Sequence, residues 1–249
     1  LLHQYQFSYT YSATLLKEMR DKKHRHEPAK EFVGFAPFYS GDTLVISTDG
    51  VASTNRKGFE PLPYTKLELN GLHNIMGGDM VAGDFATESK FTEIAGNYRI
   101  IHLATHGVAD NRVGDYAYLA FTEIKDSIEN ELLYVKDLYN LELNADLVVL
   151  SACETGVGKI QRGEGIISLA RAFAYAGAKS IVTTLWSVND KSTSELMTLF
   201  YAELKAGKTK DKALRHARLA YLKNAGVRNS HPFFWAAFVP VGDMRPVDR

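Results

Sequence analysis

Three observations predict an α/β fold of three layers, with a mostly parallel central sheet and helices on both faces. Short runs rich in Val, Ile and Leu fall at residues 99–104, 147–150 and 180–185, as expected of strands buried on both faces. Between the last two lies a helical stripe, Ile166, Leu169, Ala170 and Phe173, with Gly177 placed just beyond the helix end. Finally, 249 residues that are 45% hydrophobic and 23% charged can bury one large core without disulfides or metals. A single domain over residues 1–249 is the expectation. The chain starts at Leu1 rather than Met, which suggests a piece of a longer protein.

Along the chain, residues 17–30 are dense in Lys, Arg, His and Glu and read as a solvated connection between two apolar segments. Residues 41–63 hold many turn formers and no sustained period, which predicts a long exposed loop. Leu67, Leu72, Ile75 and Met76 have helical spacing; a short strand at 80–82 and a helix at 87–95 follow. Residues 116–121 read as another strand. Ser192 and Glu195 have capping-box spacing ahead of Leu196, Leu199, Phe200 and Leu204, and Gly207 can end that helix. A basic amphipathic helix is expected from Thr209 to Tyr221, then a last strand over 233–239.

Lys plus Arg and Asp plus Glu number 29 each, so no global field draws the chain to nucleic acid or an anionic membrane, and neither is expected as a partner. No apolar run of about 18 residues is present to span a bilayer. The single cysteine cannot form an internal disulfide and lies in no zinc-ligand pattern; a reducing cytoplasmic setting, with no metal or organic cofactor, is expected.

In parallel sheets, ligands bind beyond the carboxyl ends of the strands, where loops and helix N-termini converge. Two residues with nucleophile and base chemistry stand there together: His106 after one strand and Cys153 after another. A thiol attacks a carbonyl only as thiolate and needs a neighbouring base, and histidine titrates in the required range. A tetrahedral oxyanion needs donors, which backbone N–H groups could supply at Gly107, at Cys153 itself and around Gly156 and Gly158. Other chemistries lack their motifs: G-x-S-x-G and H-E-x-x-H are absent, and the glycines after Cys153 do not complete a phosphate-binding loop.

Two segments carry a specific resemblance: His102-Leu103-Ala104-Thr105-His106-Gly107 and Leu150-Ser151-Ala152-Cys153-Glu154-Thr155-Gly156. With Arg162-Gly163-Glu164-Gly165, Leu185-Trp186-Ser187-Val188-Asn189-Asp190 and Phe233-Phe234-Trp235-Ala236-Ala237-Phe238, the chain resembles the CHAT domain, a caspase-like, clan CD family related to separase and gingipain. Cys153 follows His106 by 47 residues, close to the spacing of about 50 in caspase-type enzymes.

The resemblance implies a caspase-like sandwich and a Cys153/His106 dyad that needs no third residue. It also implies a thiol endopeptidase that cleaves selected protein substrates under the control of an upstream TPR or other regulatory region, or of an activator protein. Asp190 corresponds to an acidic pocket position in separase-like relatives, where a carboxylate would favour cleavage after Arg or Lys. Capping of the following helix is its alternative. Glu164 is a second pocket candidate or a helix-opening acid, Trp186 packs beside the pocket, and His102 is a core or supporting histidine. The rival reading is a catalytically silent interaction module that docks through residues 17–30 and the basic helix at 210–218.

Overall fold

A computed structural model of the chain describes residues 2–37, 62–108, 117–123, 131–151, 153–154, 164–186 and 188–247; for 153–154 and 164–168 it describes the backbone alone. Most of the expected loop at 41–63, together with Gly156 and Gly158, lies outside these residues.

Among the described residues, six strands form the central sheet in the order β10-β9-β7-β3-β1-β2. These are β1 (Lys30–Ala36), β2 (Asp79–Ala82), β3 (Tyr98–Leu103), β7 (Leu147–Leu150), β9 (Ser180–Thr184) and β10 (Phe238–Gly242). All neighbours are parallel except β10, which runs antiparallel to β9. Side chains alternate between the two faces of each strand. Phe32, Ile100, Val149 and Val182 accordingly enter one core, while Val33, Ile101, Val148 and Ile181 enter the other.

Helices α2 (Thr65–Met76), α6 (Asp190–Lys205) and α7 (Lys210–Asn224) cover the first face. On the second face lie α1 (Ala13–Asp21), α3 (Glu88–Ile94) and α5 (Glu164–Ala176), contributing Met19, Phe91 and Phe173. The predicted three layers and mostly parallel sheet are what the structure has. Gly177 ends α5 at φ +133, where a β-carbon would collide with the Leu143 carbonyl oxygen, so only glycine fits.

Several boundaries differ from the sequence reading, each for a local reason. The charged stretch at 17–30 begins as helix, because Ser12 caps α1 by accepting from Leu15 N at 3.0 Å and Lys17 pairs with Asp21 one turn on. On α2 the buried stripe is Thr65, Glu68, Leu69, Leu72 and Met76, while Leu67 is 60% exposed. The apolar run at 233–238 starts as a single turn over Pro232–Phe234, and the strand comes later. Proline supplies the fixed φ for that turn and His231 accepts from Phe233 N.

The basic helix α7 turns its charges inward. Lys210 is buried and donates to the Asp243 carbonyl at 3.0 Å; Arg218 donates to the Phe238 carbonyl and is pushed down to about 10 by burial. Arg215 holds the carbonyls of Leu2 and His3. The helix that could have offered a basic docking face thus spends three of its cations on the fold. No helix among the described residues is long and apolar enough to cross a membrane.

At the opposite end of the sheet from the strand carboxyl termini, Asp146 is buried between Lys179 at 2.7 Å and Arg99 at 3.1 Å. Burial by itself would raise the Asp146 carboxyl, but its bonds to Lys179 and Arg99 outweigh that and hold it below its ordinary 3.8. A lowered carboxylate stabilises the fold above the unfolded-state pKa and loses that contribution as pH falls through the folded value. Asp146→Asn should therefore cost about 3 kcal/mol at neutral pH, leaving two half-paired cations. The gap in urea midpoints between variant and parent should close as pH drops below 3.8. A gap that stays constant from pH 7 to 3 would refute the assignment.

Candidate active site

The site is built where two neighbouring strands leave the central sheet. In β3 and β7, Ile100 pairs with Leu147, Ile101 with Val148, His102 with Val149 and Leu103 with Leu150, so every partner is 47 residues away. Ala104 and Thr105 interrupt β3, β7 ends before Ser151, and both chains then join a second, four-stranded sheet. Its strands are β4 (His106–Val108), β5 (Tyr118–Ala120), β6 (Leu132–Tyr134) and β8 (Cys153–Glu154), in the order β6-β5-β4-β8. Across the interruption the parallel register resumes unchanged: His106 pairs with Cys153 and Gly107 with Glu154. Neighbouring strands lie about 4.8 Å apart, so the two residues singled out in the sequence are backbone neighbours.

The turn between sheets is fastened on each side. Ala104 N donates to the Phe35 carbonyl at 2.9 Å and Ser151 N to the Leu103 carbonyl at 2.9 Å, which extends the main ladder by one bond on each chain. Thr105 Oγ1 donates to the Ala120 carbonyl of β5. His106 is fully buried, between Thr105 and Gly107 and across from β5, where Gly107 pairs with Leu119.

Beneath the turn lies a buried polar group. Glu68 of α2, 3% exposed, accepts at Oε1 from His102 Nε2 at 2.9 Å and from Ser151 Oγ at 2.8 Å. The other ring nitrogen of His102 is 3.1 Å from the Tyr201 hydroxyl of α6. In the tautomer that donates Nε2–H to Glu68, Nδ1 is left to accept from the Tyr201 hydroxyl. Full burial and the neighbouring Glu68 carboxylate push the Tyr201 phenol well above its ordinary value of 10. His102 is thus a core histidine with two named partners. Glu68 and Tyr201 escaped the sequence reading; the available signal was an acid inside the apolar stripe of α2.

The remaining candidates are Trp186, between β9 and α6, Asp190 at the start of α6, and Glu164 at the start of α5. Trp186 follows β9, packs against the α6 and α7 core and donates Nε1–H to the Phe233 carbonyl at 3.1 Å. Asp190 is not the cap of α6: Asn189 is, accepting from Ser192 N at 3.3 Å, so Ser192 lies inside the first turn rather than ahead of it. Asp190 is the first helical residue and half-buried. Glu164 opens α5 in the same way. Among the described residues, no group of three or more His, Cys, Asp or Glu side chains is placed to hold a metal ion.

This architecture is the caspase-like α/β fold of cysteine proteinases. The structure superposes on the Arg-specific cysteine proteinase gingipain R with a TM-score of 0.53, at 10% identity, over 95% of this chain and 52% of that one. Separase in the Saccharomyces cerevisiae separase–securin complex gives 0.54 at 13% identity, over 95% of this chain and 14% of that one. Residues 1–243 match the CHAT domain family, and the chain belongs to it. Its curated relatives include tetratricopeptide repeat protein 28 of Mus musculus and of Homo sapiens, each 24% identical over 242 residues and 83% of this chain. The chain spans 10% of the length of those relatives.

The division of labour at the start of α6 can be measured. Asn189→Ala should lower stability by about 1 kcal/mol, as loss of an N-cap does. Asp190→Ala, which leaves the cap intact, should cost less, within the few tenths typical of the helix dipole. Urea denaturation of both variants checks this; equal losses would show that Asp190 shares the capping.

Proposed function

We propose that this chain is a caspase-like cysteine endopeptidase in which Cys153 attacks the scissile carbonyl and His106 moves the protons. The observation that carries the reading is the in-register pairing of His106 with Cys153 at the carboxyl ends of adjacent parallel strands. His106 takes the thiol proton as the sulfur bonds to the carbonyl carbon, and backbone N–H groups at Gly107 and Cys153 hold the oxyanion. Collapse of the tetrahedral species breaks the C–N bond, His106 protonates the departing amine, and a thioester remains. Water, deprotonated by the same histidine, then releases the acid and the thiol.

Asp190 is proposed to favour Arg or Lys before the scissile bond, with Trp186 and Glu164 as further pocket residues. Its place at the mouth of β9, and the Arg specificity stated for gingipain R, support this. An upstream TPR or other regulatory region, or an activator protein, is proposed to control access to a protein substrate. The tetratricopeptide repeat relatives and the separase–securin complex support that part. Neither nucleic acid nor membrane is proposed as a partner, and a cytoplasmic setting fits the single cysteine.

An arginyl chloromethyl ketone should alkylate the chain once, read by intact mass, with no mass shift in Cys153→Ala and at least a hundredfold slower reaction in His106→Ala, within the range of general-base contributions. Equal labelling of Cys153→Ala would sink the assignment and leave the silent interaction module. Asp190→Ala should lose the preference for basic residues in a peptide library, and an unchanged profile removes Asp190 from the pocket.

A further inference from the structure

The His106–Cys153 pairing depends on two chains turning out of one sheet and into another without slipping. Besides the backbone bonds at the turn, a single buried side-chain oxygen ties the two chains together. Glu68 Oε1 takes one bond from His102 on β3 and one from Ser151 at the end of β7. His102 precedes His106 by four residues, and Ser151 precedes Cys153 by two. Ser151 is also bonded through its backbone N to the Leu103 carbonyl. The last residues of both strands are therefore triangulated against α2 immediately before the dyad. On the far side, Tyr201 ties the same histidine to α6, whose first residue is Asp190.

Burying a carboxylate is expensive, and well-packed apolar side chains often serve stability as well or better; the best-attested use of a buried polar group is to specify register. Glu68 meets that description, since the bonds it accepts come from two different strands whose mutual offset sets the dyad. We infer that Glu68, acting through His102 and Ser151, is a positioning residue for the Cys153–His106 pair. This inference rests on the cysteine-peptidase reading. Glu68 is placed to act on the backbone: it fixes where β3 and β7 leave the main sheet, and thereby the register in which His106 meets Cys153.

The test is the pH profile of Cys153 alkylation by iodoacetamide, which needs no substrate pocket, measured on the parent chain and four variants with thermal unfolding alongside. His106→Ala reports loss of the dyad, and its profile should move toward that of an ordinary thiol near 8.5. Glu68→Gln and Ser151→Ala should move the same way, with alkylation at pH 6.5 slowed about tenfold, the effect of a one-unit rise in thiol pKa. Leu204→Ala, a cavity at the far end of α6, should lower the unfolding temperature and leave the profile in place. If Glu68→Gln fails to fold, Ser151→Ala decides, because it deletes only a hydroxyl.

Parent-like profiles in Ser151→Ala and in folded Glu68→Gln, with a shifted His106→Ala, would overturn the positioning role and leave the dyad standing. A shift in Leu204→Ala equal to theirs would overturn it too, since the profile would then follow stability alone. Coincident profiles for the parent and His106→Ala would overturn the dyad and this inference together.

Discussion

The parallel pairing of β3 with β7 is the constraint on which the rest of the molecule depends. Its partners are 47 residues apart in the central sheet, and that offset survives the passage from one sheet to the other. Because side chains alternate with a period of two, a slip of one residue would send Ile100 and Val149 to the wrong core and His106 to the wrong neighbour. The same register thus decides both the packing of two hydrophobic layers and the meeting of the two reactive residue types. Stability and chemistry are coupled here because one ladder carries both.

The two ends of the sheet deal with charge differently. At the amino end the buried Asp146 carboxylate is held by two cations, Lys179 and Arg99, and also contacts His24. At the carboxyl end Glu68 is enclosed with Ser151 and His102 and has no Lys or Arg partner in its side-chain bonds among the described residues. The first arrangement ties the lead-in after α1 to the base of the sheet: His24 reaches Asp146, and Glu27 reaches Arg99. The second fastens the strand ends to α2 inside the helix–sheet interface.

Much of the molecule was legible in one dimension. Fully buried parallel strands read as unbroken apolar runs, and those at 147–150 and 180–185 matched the structure to within a residue because nothing but burial dictates their composition. Helix and strand edges were less legible where a local interaction outcompeted the pattern. Asn189 took the cap from the Ser192 box, and a helix capped by Ser12 ran on into the charged stretch, where Lys17 pairs with Asp21. The inward-facing charges of α7 were invisible for a simpler reason: Lys210 and Arg218 find their carbonyl partners on β10 and just beyond it, at least 20 residues away in the chain.

By itself the sequence determined the layered α/β class, the two segments that carry His106 and Cys153, and their separation, because burial periodicity and residue chemistry are local properties. Only the tertiary structure decided that the separation is a strand register carried through a change of sheet, and that Glu68 and Tyr201 converge on His102 beneath it. Those facts depend on contacts across 34 and 99 residues of chain. Such contacts leave no periodic trace in the sequence, since the partner of a buried polar group is chosen by how helices dock on a sheet.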